Sequence, residues 1–232
     1  MNIKQSLYGF VTKFGVNIVA KIFPEYFATE PLKPTDRYIE YSFVAQNLPY
    51  TPSIVLDVGS CGSYFPLILA GLGYEITSID LREYSILKNV KFKNFTFLKE
   101  DIKKITLPNN SFDAVIAVST IEHIGIGGRY GEYEDSRGDI IAINQMKRVL
   151  KPGGMVILTF PFSKYKICKP FCRIYDLNTV KELIGDLLIE KEAYYMQDKT
   201  DDWLECSMAD AEKFDSSAYR SPICLLKLIK NK

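Results

Sequence analysis

Residues 53–63 read SIVLDVGSCGS, and this stretch decides the fold. Ile54, Val55 and Leu56 form a short apolar run of the kind seen in a strand covered on both faces. Asp57 follows, then a turn containing Gly59, Ser60, Cys61, Gly62 and Ser63, then an apolar run from Phe65 to Leu72. Strand, small-residue turn and helix in that order place a ligand at the carboxyl end of the first strand of an α/β sheet. Small residues suit the turn because the backbone must come close to the ligand, where a larger Cβ would stand in the way.

The chain on either side repeats the strand–helix alternation. Glu75 to Asp80, EITSID, predicts a second strand, and its last residue is acidic. In a dinucleotide-type fold an acidic residue about 20 positions beyond the glycine turn takes the ribose hydroxyls. Asp80 follows Asp57 by 23 residues, and one carboxylate can accept from both vicinal hydroxyls. Phe95 to Leu98 predicts a third strand, followed by Asp101 and Ile102; FDAVIAV over 112–118 predicts a fourth, running into Ser119-Thr120-Ile121-Glu122-His123. An amphipathic helix over 139–150 leads through Leu150-Lys151-Pro152-Gly153-Gly154, a helix stop and turn, to a fifth strand over 155–160. A helix over 176–186 and strands over 188–195 and 223–229 complete the pattern, while residues 196–222, with the one tryptophan, Trp203, receive no assignment. Upstream, Arg37 to Leu48 predicts a helix with Tyr38, Tyr41, Val44, Ala45 and Leu48 on one stripe, ended by Pro49 and Pro52.

These motifs resemble the class I S-adenosylmethionine-dependent methyltransferases. VLDVGSCGS is similar to their D/E-x-G-x-G-x-G motif, with Cys61 and Ser63 where the pattern has its second and third glycines. FDAVIAVSTIEHI and LKPGG are similar to further signatures of that class, and the resemblance covers roughly residues 37–230. IEHIGIGGRYGEYEDSRGD resembles a type 11-like subset often associated with glycan or polysaccharide biosynthesis. The resemblance implies a Rossmann-like, seven-stranded, mostly parallel sheet flanked by helices. It also implies S-adenosyl-L-methionine as cofactor, held by Asp57, Gly59, Ser60, Cys61, Asp80, Leu81, Asp101, Ile102, Ser119 and Ile121. Asp101 would accept from the adenine amine and Ile102 pack on the ring. Two roles stand open for His123, the chain's one histidine: a base for an acceptor hydroxyl, since its ordinary pKa is near 6.5, or a residue that orders the loop. Arg129 and Tyr130 are the acceptor-binding candidates, Arg for an anionic group and Tyr for stacking on a sugar. The implied reaction is methylation of a small molecule, with O-methylation of a sugar or glycan precursor as the implied class. The alternative, resting on the two missing motif glycines, is a degenerate methyltransferase fold that only binds.

Composition narrows the rest. The chain has 232 residues, 47% hydrophobic and 25% charged, with a formal net charge of +1, which excludes a strongly basic nucleic-acid footprint. Its five cysteines are odd in number and lack framework spacing; Cys168 and Cys172 could be half of a metal site, but no second Cys or His pair follows, so no metal is expected and a reduced, cytoplasmic protein is. Residues 1–36 read as a helical extension ahead of a methyltransferase domain over 37–232. Within it, Leu7, Phe10, Phe14 and Ile18 fall on one helix face, while Lys4, Lys13 and Lys21 interrupt any membrane span. That face suits packing against protein, or lying on a membrane surface; the oligomeric state is left open. A nicotinamide enzyme is disfavoured because the turn does not read G-x-G-x-x-G.

Overall fold

The computed structural model describes Ile18 and residues 35–128, 130 and 133–231. The expected N-terminal amphipathic face, Ile18 aside, and Arg129 lie outside the described residues.

All eleven elements predicted within the described residues form close to where the pattern puts them. Helix α1 spans Asp36–Asn47. Then come β1 (Ile54–Val58), α2 (Phe65–Gly71), β2 (Glu75–Asp80), α3 (Ser85–Lys88), β3 (Phe95–Lys99) and β4 (Phe112–Val118). Next are α4 (Gly138–Val149), β5 (Leu150–Pro161), the hairpin β6 (Lys166–Cys168) and β7 (Cys172–Ile174), and α5 (Leu177–Ile184). The chain closes with β8 (Leu188–Gln197), β9 (Trp203–Cys206), α6 (Met208–Lys213) and β10 (Ile223–Ile229).

The main sheet has strand order β3-β2-β1-β4-β5-β10-β8-β9. Strands β1 to β5 pair in parallel, β10 is antiparallel to both β5 and β8, and β9 is antiparallel to β8. The sheet is therefore mostly parallel as expected, but with eight strands: β9 comes from the stretch that the sequence pattern left unassigned. Chain order runs outward from β1 to β3 on one side and restarts at β4 on the other. That reversal opens a crevice at the carboxyl ends of β1 and β4.

Period-two alternation decides which helices cover which face. Val55, Ile76, Ala114, Ile116 and Ile157 join a core with Phe43 and Val44 of α1 and Phe65 and Leu69 of α2. Leu56, Val58, Val115, Ala117, Val156 and Leu158 join the opposite core with Ala142, Ile143, Met146 and Val149 of α4 and Val180 and Leu183 of α5. Coverage on both faces is why β1 reads as an unbroken apolar run. Asp176 caps α5 by accepting from the Thr179 N–H at 2.8 Å, and Thr179 Oγ1 accepts from the Asp176 N–H at 2.9 Å.

Two local expectations change. Tyr38 is 61% exposed and Ala45 is exposed as well, so neither lies on a buried stripe, and the inward face of α1 carries the fully buried Glu40. Periodicity misses it because a charge reads as outward, whereas this one is paired. Glu40 accepts from the hydroxyls of Ser119 and Thr159, each at 2.6 Å, and pairs with the Arg37 guanidinium. The Lys151–Gly154 run is not a separate turn either. It is the start of β5, shifted in register against β4, with Gly153 at φ +74°.

Replacing Glu40 with Ala strands the buried Thr159 hydroxyl and the half-buried Ser119 hydroxyl, at a cost of about 1–3 kcal/mol. Urea unfolding should show that loss for Glu40→Ala, and a variant as stable as the parent would mean that the network contributes nothing.

Candidate active site

A cavity of about 270 Å³ opens at the carboxyl ends of β1 to β4. The turn after β1 forms its floor. Gly59 there has φ +77°, and a Cβ on it would lie 2.3 Å from the Thr120 side chain, so only glycine fits. Cys61 adopts φ +49°, a conformation costly for a side chain with a Cβ. The turn is held by Asp80, whose Oδ2 accepts from the Cys61 N–H and whose Oδ1 accepts from the Arg82 N–H, both at 2.9 Å. Ser63, in place of a motif glycine, bonds Tyr41 of α1 hydroxyl to hydroxyl at 2.9 Å and accepts from the Phe65 N–H at 3.0 Å. The two substitutions therefore leave the turn formed.

Of the residues picked out from the sequence, Asp57, Gly59, Ser60, Cys61, Asp80, Leu81, Asp101, Ile102, Ser119, His123 and Tyr130 line this one cavity. Asp101 also accepts from the Lys103 N–H at 2.9 Å, starting a short 3₁₀ turn. Ile121 is the correction: it is fully buried in the core below, and its carbonyl accepts from the Tyr175 hydroxyl at 3.3 Å. It begins a 3₁₀ turn, Ile121–His123, in which successive side chains diverge by about 120°, so its neighbours' positions do not predict its own. Tyr130 stands at the same cavity, with the Arg82 guanidinium 4.5 Å from its ring centre and the His123 ring edge-on at 5.0 Å. Sequence reasoning missed Arg37, Tyr41, Arg82 and Thr120 on the lining; the signal available was their position just inside α1 or just past a strand's carboxyl end.

At the base of the glycine-rich insertion after His123, glycine supplies close packing: the Asp135 N–H donates to the Gly125 carbonyl at 2.9 Å, and a Cβ on Gly125 would meet the Asp135 carbonyl oxygen at 2.0 Å.

His123 is set by the β6–β7 hairpin. Its Nδ1 is 2.7 Å from the Phe171 carbonyl oxygen. A carbonyl only accepts, so Nδ1 carries the proton and Nε2 is the accepting nitrogen of the neutral ring. Nε2 lies 3.5 Å from Glu122 Oε1. Beneath, Arg173 of β7 pairs with Asp139 at 3.1 Å and donates to the Ile124 carbonyl at 3.0 Å, fixing the turn.

A second cavity of about 180 Å³ adjoins the first; Arg37, Ser119 and His123 line both. Its far wall comes from β9 and the segment before β10.

Burial pushes the Asp57 carboxyl up to about 7, against a lowering by the Ser78 hydroxyl that it accepts at 2.7 Å. Burial likewise pushes Glu122 up to about 8, with Glu40 adding repulsion and Arg37 opposing.

Residues 56–158 match the family described as a methyltransferase domain. Over most of the described residues, the fold is the class I methyltransferase fold. A similar relative is the ubiquinone/menaquinone biosynthesis C-methyltransferase UbiE of Coxiella burnetii, 32% identical over 106 residues, which are 45% of this chain and 37% of the relative. The chain thus spans little more than a third of that relative's length. Among solved structures, the N-methyltransferase NodS of Bradyrhizobium japonicum WM9, in complex with S-adenosyl-L-homocysteine, superposes with TM-score 0.59 at 16% identity, covering 87% of this chain and 90% of that one. The [4+2]-cyclase SpnF superposes with TM-score 0.60 at 17% identity over 84% and 80%. Such likeness shows the fold, and the same fold serves different activities in those two proteins.

Asp57 and Glu122 keep their protons to higher pH folded than unfolded. The stability that this contributes is full below about pH 4 and is lost as pH rises through 7 and 8. The unfolding free energy should therefore fall between pH 5.5 and 8.5, and the double variant Asp57→Asn, Glu122→Gln should fall less. Equal slopes for the two proteins in urea titrations would remove both groups from the account.

Proposed function

We propose that the protein is an S-adenosylmethionine-dependent methyltransferase acting on a small molecule, with O-methylation of a hydroxylated acceptor as its reaction. The observation that carries the cofactor assignment is the Asp80 carboxylate. It is tied to the turn after β1 and lines the same cavity as Asp101, Ile102 and the Asp57–Cys61 turn. The residues fit the cofactor: two carboxylates for its hydroxyl and amine donors, an apolar wall for its ring, and the Ser60 hydroxyl, buried and without a partner among the described residues. Asp80 would hold the ribose, Asp101 and Ile102 the adenine, and Asp57, Gly59, Ser60 and Cys61 the amino-acid end.

When bound, the cofactor supplies a methyl group on a cationic sulfur that is already activated for direct displacement. The chain's own contribution is alignment, exclusion of water and management of one proton. His123 Nε2 would take that proton from the acceptor hydroxyl, with Nδ1–H held on the Phe171 carbonyl to keep the tautomer. The UbiE relative is named as a C-methyltransferase of quinone biosynthesis. A C-methylation is thus the competing outcome, and product analysis separates the two.

Calorimetric titration should show S-adenosylmethionine and S-adenosylhomocysteine binding and NADH not binding. Asp80→Ala should weaken both by about 1–3 kcal/mol, the scale of a lost charge-assisted hydrogen bond; unchanged affinity would exclude Asp80 from the site. If neither binds the parent protein, the fold serves only another ligand. His123→Ala should lower turnover by about 100-fold with cofactor affinity unchanged. Full turnover in that variant would leave His123 as a loop-ordering residue.

A further inference from the structure

The second cavity has walls of a definite chemistry. Its aliphatic lining is limited to Pro161, Ala218 and Ile223, too little to strip water from an isoprenoid or steroid chain. The rest is polar or aromatic. The Trp203 indole N–H is buried with no partner among the described residues, and a buried donor left unmade is costly unless a ligand completes it. Glu122, 2% exposed, has its Oε2 in the same condition.

The charges in the wall are unequal. Asp36 and Glu40 both act on Arg37, so that cation is matched. Burial disfavours the ionised form of Glu122. Arg220 is held more loosely by charge: it helps lower the pKa of the Asp198 carboxyl, but makes no close ion pair among the described residues, and its Nη2 donates instead to the backbone carbonyls of Gln197 and Asp198, at 3.5 and 2.8 Å. A guanidinium held by carbonyls at the edge of a pocket keeps its charge and further N–H groups for an oxyanion. Tyr219, 82% exposed, stands on the same lining and offers an aromatic face to a ring.

We propose that this second cavity is the acceptor site, and that it takes a compact hydroxylated ring bearing an anionic group, the anion towards Arg220 and Trp203 and the reacting hydroxyl towards His123. The acceptor role rests on the methyltransferase reading above. The ligand chemistry rests on the wall itself. His123 lines both cavities, so a hydroxyl beside it stands at the junction with the cofactor cavity. Trp203, Tyr219 and Arg220 belong to the segment from β9 to β10, a part of the chain beyond residues 56–158 that match the methyltransferase family. Acceptor choice would thus be carried by an addition to the shared domain.

Trp203 is the chain's one tryptophan, so its fluorescence reports occupancy of this cavity without any need for turnover. Protein saturated with S-adenosylhomocysteine would be titrated with glucuronate and with 3,4-dihydroxybenzoate, two sources of the same chemistry. Their neutral counterparts, methyl glucoside and catechol, and geranylhydroquinone as an apolar-tailed acceptor, would be titrated in parallel. Saturable change with at least one anionic ring is expected, at least tenfold tighter than with its neutral counterpart, and the tighter of the two sources names the ring. Arg220→Gln should abolish that tenfold preference while S-adenosylhomocysteine affinity, measured by calorimetry, stays at the parent value and vouches for the fold. Trp203→Phe should weaken the same ring in a calorimetric titration. No binding by either anionic ring, equal binding by the neutral ones, tighter binding by geranylhydroquinone, or an unchanged preference in Arg220→Gln would each overturn the proposal. If the anionic rings saturate but S-adenosylhomocysteine does not bind, the ligand chemistry stands and the methyltransferase reading falls. If the homocysteine compound binds and no ring does, the reverse holds.

Discussion

The carboxylate of Asp80 ties together the two turns from which the larger cavity is built. One oxygen holds the N–H of Cys61 in the turn after β1, and the other holds the N–H of Arg82 just past β2. Backbone N–H groups at a sheet's carboxyl end have lost their ladder partners, and a carboxylate is the strongest neutral-pH acceptor available to them. This contact lets Cys61 sit at positive φ in a turn that would otherwise require glycine. A serine and a cysteine can thus replace motif glycines without the cavity closing.

On the other side of the crevice the organising group is Glu40, a fully buried acid that accepts from two hydroxyls and pairs with Arg37. It reaches from α1 across the end of the sheet to Ser119 after β4 and Thr159 of β5. Through Arg37 the same network forms part of the wall shared by the two cavities. Helix α1 therefore does two jobs. It covers one face of the sheet with Phe43 and Val44, and it fixes the floor of the crevice with Glu40. Its burial of a charge is tolerated because Ser119, Thr159 and Arg37 together satisfy both carboxylate oxygens.

The acids around the crevice fall into two groups. Asp80 and Asp101 accept from backbone N–H groups at the cavity wall. Asp57 and Glu122 lie deeper, where burial raises their pKa values and few donors oppose it. Separation of titratable groups by environment is a common mark of functional sites. Here burial sets two carboxyls of raised pKa beneath the crevice and a histidine of fixed tautomer at its junction, with the hairpin carbonyl of Phe171 doing the fixing.

By itself the sequence determined the alternating strands and helices and the placement of Asp57, Asp80, Asp101 and His123 at strand ends. All of these follow from local periodicity and turn chemistry, which a short window contains. Ile121 and Tyr38 were misplaced because a 3₁₀ turn and a buried ion pair each override the period that a longer helix would keep. Only the tertiary structure decided that Glu40 faces inward, that residues 203–206 become an eighth strand, and that Trp203, Tyr219 and Arg220 join Arg37 and His123 around a second cavity. Those outcomes depend on pairing between residues up to 119 positions apart. A side chain's partners at that distance leave no trace in its own neighbourhood, because it is the closure of the sheet that brings them together.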